Sequence, residues 1–312
     1  MCTIIALVSA PTALESAEPE HGAGFRPVQR LLDLSGLAWL GEDSFVAVHD
    51  AKNPDENTRV RVSFLVLPRS LDGILWRPVR PHFPGGQSSD LESAARIPGT
   101  DEVLLVESGD DASAFQRIFL AEVRPNRLSV VGAVEWGSFT DVFNVEATAV
   151  AETETGYLFI WAERNSGEQS KEINWTALTL DPFAIGPVVA SAEIQLPEDL
   201  VNANGSPLYS HPVVAMDVDD TGHIYTVAAF DPECSVPDPD NGPFRSALFK
   251  VGQVIGETIE FDPEPSLLAT LDGLKVESVA VRAHEGEIEL FVGTDDENYG
   301  GTLRPLPPPD FP

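Results

Sequence analysis

A hairpin pattern that returns five times along the chain is the strongest constraint on what it can fold into. The five segments are residues 34–50 (LSGLAWLGEDSFVAVHD), 91–107 (LESAARIPGTDEVLLVE), 145–163 (VEATAVAETETGYLFIWAE), 211–231 (HPVVAMDVDDTGHIYTVAAFD) and 276–295 (VESVAVRAHEGEIELFVGTD). Each opens with a short apolar run that carries an alanine at a matching place: Ala38, Ala95, Ala149, Ala215 and Ala280. A polar turn follows, holding Gly41, Gly99, Gly156, Gly222 or Gly286, and a second apolar run ends on an acidic residue. Two short apolar runs about a glycine-bearing turn predict a β-hairpin.

Three residues before each alanine stand Ser35, Glu92, Glu146, Pro212 and Glu277, spaced 57, 54, 66 and 65 residues apart. A hairpin plus two further strands in roughly 40–65 residues is the unit of a β-propeller blade. Apolar runs at 60–67, 117–123, 174–180 and 247–251 supply the further strands, and no long stretch has helical period. The sequence therefore predicts an all-β, five-bladed propeller, with six blades as the alternative because the two longest spacings could hide a degenerate blade. Few residues follow Glu277, so the segment 25–32 is expected to close the ring as an N-terminal strand completing the last blade, removing open sheet edges. The expected layout is an N-terminal extension over 1–24, one propeller domain over 25–306 and a proline-rich tail over 307–312.

Hydrophobic residues make up 43% of the 312, and 24 Gly and 26 Pro are spread along the chain, which suits many strands joined by turns. The net charge of −31 argues against nucleic acid or an anionic membrane as partner and is compatible with cations. Cys2 and Cys234 form neither a disulfide framework nor a zinc pattern. The first 14 residues are apolar but carry no Lys or Arg, which points to the cytoplasm, with secretion or the periplasm as the alternative. No run of 18 apolar residues exists, so no membrane span is expected, and the chain is expected to be a monomer.

In every hairpin the first strand starts at the edge where the second ends. Ser35, Glu92, Glu146 and Glu277 should therefore converge at one mouth of the central channel, together with the strand-end acids Asp50, Glu107, Glu163, Asp231 and Asp295. Carboxylates gathered without counter-charge repel, so a proton or a cation should sit among them. An all-oxygen shell favours Ca2+, with Mg2+ or Mn2+ as alternatives. Ser35, Glu92, Glu146 and Glu277 are the expected metal residues. His211, beside Pro212 in the blade that lacks its acid, could replace a ligand or act as an acid–base group. Asp50, Glu163, His211 and Asp231 are candidate catalytic groups. Arg164, Asp295 and Asn298 are candidate substrate contacts, with Lys52 and Arg304 nearby, and His49–Asp50 is a further possible acid–base pair.

The segments LSGLAW…FVAVHD, SDLESAARI…LLVESGD and NVEATAV…IWAERN resemble the blades of phytase-like, esterase-like bacterial β-propellers. They are similar in design to the calcium-dependent propeller hydrolases, among them lactonases and the five-bladed calcium-activated nucleotidases. The resemblance implies that Glu92, Glu146 and Glu277 match the metal-facing acids and Ser35 the first-blade position. The chain departs from that pattern at Ser93, Ala147 and Ser278, where glycine usually follows the acid, and at Pro212. The few Lys and Arg at the mouth make phytate an unsuitable substrate. The reading is a calcium-dependent propeller hydrolase of a small phosphoester, ester or lactone, its anionic substrate bridged by the metal. The alternative is a non-enzymatic binding or scaffold propeller with a structural metal.

Overall fold

The computed structural model describes residues 24–52, 59–67, 73–109, 115–138, 140, 144–164, 171–187, 189–197, 200–201, 205, 209–230, 242–284, 287–296 and 300–307. Five antiparallel sheets hold most of them. The first blade holds β1 (Arg26–Val28), β2 (Gly36–Gly41), β3 (Ser44–Val48), β4 (Val62–Val66) and β5 (Ile74–Val79). The second holds β6 (Leu91–Arg96), β7 (Glu102–Glu107), β8 (Arg117–Arg124) and β9 (Arg127–Glu135). The third holds β10 (Val145–Thr153), β11 (Gly156–Glu163), β12 (Glu172–Leu180), β13 (Phe183–Ile185) and β14 (Ala190–Glu193). The fourth holds β15 (His211–Val218), β16 (His223–Phe230), β17 (Arg245–Ile255) and β18 (Thr258–Asp272). The fifth holds β19 (Val276–His284), β20 (Glu287–Thr294) and β21 (Leu303–Pro305).

Five is thus the blade number. The last long spacing hides no sixth blade: the 11-residue β17 and the 15-residue β18 fill it as one extended hairpin. The inner strands β2, β6, β10, β15 and β19 touch in that order, and β19 returns to β2. The repeat alanines sit on these strands, none more than 4% exposed, because neighbouring inner strands leave space for a methyl and little else. Between each pair of adjacent blades lies an apolar core, five in all.

The ring does not close as the sequence suggested. β1 pairs with β5, the outer edge of the first blade, and among the described residues the fifth blade has three strands. Two local reasons hold β1 there. Pro27 has no N–H and suits an edge strand, and the Arg26 guanidinium lies 4.7 Å from the Trp76 ring centre. The residues just after β1 do reach the fifth blade, through a Leu31–Gly301 bridge and a bond from Leu34 N–H to the Thr294 carbonyl (3.0 Å). Closure otherwise rests on packing: Leu37, Phe45, Leu65 and Trp76 of the first blade meet Ala280, Phe291 and Leu303 of the fifth, with the Phe45 and Phe291 rings edge-on at 5.0 Å. Burial of side chains of this size contributes on the order of 1.5–3 kcal/mol each.

Two of the three departures from glycine after the acids, Ser93 and Ser278, have a structural reason. Thr148 donates both its N–H and its hydroxyl to the Ser93 Oγ, at 3.0 and 2.8 Å. The Ser278 hydroxyl donates to the Leu34 carbonyl at 2.9 Å. These serines join one inner strand to the next. Gly36, in the first blade, has no such room: a Cβ there would lie 2.5 Å from Ala94 N and 2.7 Å from Ser93 C, both backbone atoms. Gly36→Ala is expected to destabilise the protein by about 1–3 kcal/mol through overpacking, read as a lower melting temperature. An unchanged melting temperature would show that the first two inner strands can separate.

Candidate functional site

The three repeat glutamates occupy the same special place in their blades. The β6–β7 ladder shifts register between Leu91 and Ser93, the β10–β11 ladder between Val145 and Ala147, and the β19–β20 ladder between Val276 and Ser278. Glu92, Glu146 and Glu277 are the extra residue in each case, a β-bulge that takes the side chain out of the ladder's alternation. In the fourth blade the irregularity runs from His211 to Ala215 and contains Pro212. The first blade begins its ladder at Gly36, just after Ser35.

Bulges on three inner strands bring their carboxyls within electrostatic reach of one another. Burial first, and then the charges of Glu146, Asp50, Asp90 and Glu277, push the Glu92 carboxyl well above its ordinary range. Burial also raises Glu146 to about 7, with Arg164 opposing the rise and Glu277 adding to it. Glu277 rises to about 8 by burial, which Lys275 opposes and Asp295 reinforces. Glu146 is 7% exposed and the Glu277 side chain 12%, so water screens these charges weakly.

A second group of carboxyls adjoins the first. Oxygens of Asp50, Asp90 and Glu92 lie within 4.8 Å of one another. Asp50 is raised to about 7 by burial, against the pull of Lys52 and with the push of Asp90. Asp90 is held below its ordinary value: burial works against its charge, but the Ser108 hydroxyl and Lys52 outweigh it. Lys52 Nζ lies 3.3 Å from Asp50 and 3.5 Å from Asp90. Lys275 Nζ lies 3.0 Å from Glu277, and Arg164 Nη1 3.5 Å from Glu146. Six carboxyls, those of Asp50, Asp90, Glu92, Glu146, Glu277 and Asp295, thus face three cationic side chains.

Ser35, 2% exposed, accepts a bond from the Asp50 N–H at 3.2 Å and borders a cavity of about 10 Å3 on the axis. Glu277 borders the same cavity, while Leu37, Ala94, Met216 and Val279 form its apolar part farther along the strands. A space of that size holds about one water or one ion. Among the carboxyls of this mouth Glu277 alone borders it; in the neighbouring Asp50–Asp90–Glu92 group, Asp50 Oδ1 is buried with no hydrogen-bond donor among the described residues, while Asp90 Oδ1 faces the Lys52 ammonium. The carboxylate oxygens of Asp50, Asp90 and Glu92 are the hard-donor set here whose chemistry suits a divalent cation of the calcium class.

The other expected site residues divide. Glu163 and His211 stand at the mouth ends of β11 and β15, opposite Val145 and Ala229. Asp295, 9% exposed, lies against Glu277 as a like charge, and its N–H donates to the Lys275 carbonyl at 2.9 Å. Asp231 and Asn298 lie outside the described residues. Arg304 is on the outer strand β21, bonded to the Thr302 hydroxyl at 3.2 Å. His49 does not pair with Asp50. It is buried, its Nδ1 bonds the Asp33 carbonyl at 2.7 Å and its Nε2 the Ser63 hydroxyl at 2.8 Å, and burial lowers it to about 4. Glu107 is held inside the second blade by Arg117 at 2.7 Å.

Asp90 and Lys275 carry much of the site's electrostatics and were not anticipated. Both stand two residues before a repeat glutamate, a position also held by Asp33, Asn144 and Ser210 in the other blades. Asp90 and Asn144 adopt φ of +58° and +57°, a conformation that Asp and Asn tolerate better than most residues. A polar residue at that offset in all five repeats was the available signal.

No protein-family model and no curated protein matches the sequence. Solved structures do match. A thermostable family-43 glycoside hydrolase superposes with a TM-score of 0.55 at 11% identity, over 93% of this chain and 98% of that one. An α-L-arabinanase of Cellvibrio cellulosa in complex with arabinohexaose gives 0.50 at 13%, over 89% and 92%. What is shared is the five-bladed fold. No helix among the described residues is long and apolar enough to cross a membrane.

Proposed function

We propose that the chain is a hydrolase whose reaction centre is the carboxylate ring at this mouth. Its cofactor is a divalent cation, calcium before magnesium or manganese, and its substrate a small anionic phosphoester, ester or lactone. One observation carries the reading: three glutamates, each set on a bulge of a different blade, are buried in a group of six carboxyls that, among the described residues, faces Lys52, Lys275 and Arg164. Ser35, Glu92, Glu146 and Glu277 would hold the cation, and the chemistry it supplies in such a shell is polarisation of a substrate oxygen. Asp50, near 7, is poised to take a proton from attacking water at neutral pH. Glu163, His211 and Asp231 are further candidates for proton transfer. Lys52 and Lys275 offer their ammonium groups, and Arg164 its guanidinium, to the anionic part of the substrate, with Asp295 and Asn298 at the rim. The resemblance to calcium-dependent propeller hydrolases rests on the same glutamate positions.

A second reading, a binding module without turnover, is favoured by the same three cations, since each already lies on a carboxylate. The deciding experiment strips the protein with EDTA and titrates calcium by calorimetry. Turnover is then followed on a nucleoside diphosphate, aryl phosphate, aryl acetate, lactone and aryl arabinofuranoside, the last because both fold neighbours named above are glycoside hydrolases. Calcium-dependent turnover of a phosphoester, ester or lactone, lost in Glu146→Gln while the fold persists, is the expected result. Calcium binding without turnover on any substrate would favour the binding module. Turnover indifferent to EDTA, or confined to the arabinofuranoside, would overturn the metal-dependent esterase reading.

A further inference from the structure

A second site lies on the opposite face, between the first two blades. The β2–β3 turn, the far end of β4, the β6–β7 turn and the β8–β9 turn border a pocket of about 560 Å3, within the size range of small-ligand sites. Leu40, Phe64, Val66, Val123 and Pro125 make much of its wall apolar. Arg77, from β5, is part of that wall and only 8% exposed.

Arg77 is an unusual arginine. Its guanidinium lies between two aromatic rings, 4.9 Å from the Phe25 centre and 5.0 Å from that of Phe64. Its Nε and Nη2 are buried, with no acceptor among the described residues. These two nitrogens form one edge of the guanidinium, whose parallel N–H groups match the two oxygens of a carboxylate. The protein displays that pairing one blade away. Arg117 donates the same two groups to Glu107, Nε at 2.9 Å and Nη2 at 2.7 Å, with the Phe119 ring centre 4.9 Å from its guanidinium. An unpaired buried charge is costly to keep, so an acceptor that completed the Arg77 edge would recover that cost.

The wall carries two cations, Arg77 and Arg124, and two acids, Glu42 and Asp101, and the guanidinium edge it leaves without an acceptor among the described residues is that of Arg77. In a chain with net charge −31, Arg77 and Arg124 line this pocket, and Arg80, His82 and Arg127 line an adjoining groove of about 370 Å3 that shares Asn126 with it. The acids in the pocket wall, Glu42 and Asp101, form no ion pair with Arg77; Arg124 is already paired, with Asp101 at 3.2 Å and Glu122 at 3.4 Å. We propose that this pocket binds a small organic carboxylate with an apolar body, the carboxylate on the Nε–Nη2 edge of Arg77 and the body against Phe64, Leu40 and Val66. The Phe25 ring must give way for entry. Gly24 precedes it at φ +103°, a conformation that favours glycine and lets the chain turn there.

The test uses the full chain and two probes, sodium benzoate and sodium hexanoate, titrated by calorimetry and ligand-observed NMR, with inorganic phosphate as control. Saturable binding of a probe is expected, weakened at least tenfold in Arg77→Leu and also weakened in Arg77→Lys, which keeps the charge but not the forked edge. Arg77→Leu is expected to melt no lower than the parent, so the loss would not reflect unfolding. Calcium binding at the other mouth should be unchanged in that variant, which separates this proposal from the hydrolase reading. No saturable binding of either carboxylate, equal affinity in Arg77→Leu, or phosphate binding in place of both probes would overturn it.

Discussion

Stripped of divalent cations, the protein is expected to lose thermal stability as the pH rises from 6.5 to 8.5, and calcium is expected to restore it. Asp50 and Glu146 are held near 7, Glu277 near 8 and Glu92 well above its ordinary value, all through burial first. The native state therefore binds protons that the unfolded chain has released. Stability from these groups is complete below about pH 4, where both states are protonated, and is lost as the pH passes through 7 and 8. Lys52, Lys275 and Arg164 oppose the rise in these values, while Asp90 and Asp295 strengthen it. The window starts at 6.5 because His49, lowered to about 4, adds an opposite trend below that pH. Allowing for coupling among the carboxyls, the loss should be about 3 kcal/mol, or roughly 6–10 °C in melting temperature. The gain on adding calcium should be largest at pH 8.5. A flat profile without cations would mean that the three basic side chains already balance the ring.

Breaking the ion pair inside the second blade should have a comparable effect. Glu107 is fully buried, and it accepts from the Arg117 side chain, the Arg117 N–H at 3.0 Å, the Ser88 hydroxyl at 2.8 Å and the Ser89 N–H at 3.2 Å. Arg117 also donates to the Pro84 and Gln87 carbonyls, at 2.8 and 3.0 Å. Arg117→Met leaves a buried carboxylate uncompensated and strands both carbonyls, so a loss of about 3–5 kcal/mol is expected. Denaturant unfolding measures it. The segment these bonds hold leads directly into Asp90 and Glu92, so calcium affinity should fall in the same variant, even at temperatures where it stays folded. A loss below about 1 kcal/mol, the level of a surface ion pair, would show that the pair is accessible to water.

The repeat was enough to read the blade number, because each hairpin states its own strand pairing through local alternation and a glycine turn. The convergence of Glu92, Glu146 and Glu277 was legible for the same reason: equivalent positions in a cyclic repeat share a face. Ring closure was not, because β1 has two sheet edges within reach. Its choice rests on the contact between Arg26 and Trp76, residues far apart in sequence. Nor was the role of Glu107, which looks like any other strand-end acid until Arg117 is seen beside it. The Arg77 pocket was equally hidden, since nothing in a single arginine codon reveals that its partners are rings.

The bulges have a consequence for how this molecule can change. Each glutamate is one residue beyond what its ladder needs: Val145 and Ala147 oppose the consecutive residues Glu163 and Ala162, with Glu146 between them. Deleting that single residue would leave an unbroken ladder, with every later side chain still on its own side of the sheet. The glutamates of the ring are therefore detachable fittings: in the second, third and fifth blades a single codon adds or removes the carboxylate while the architecture stays put.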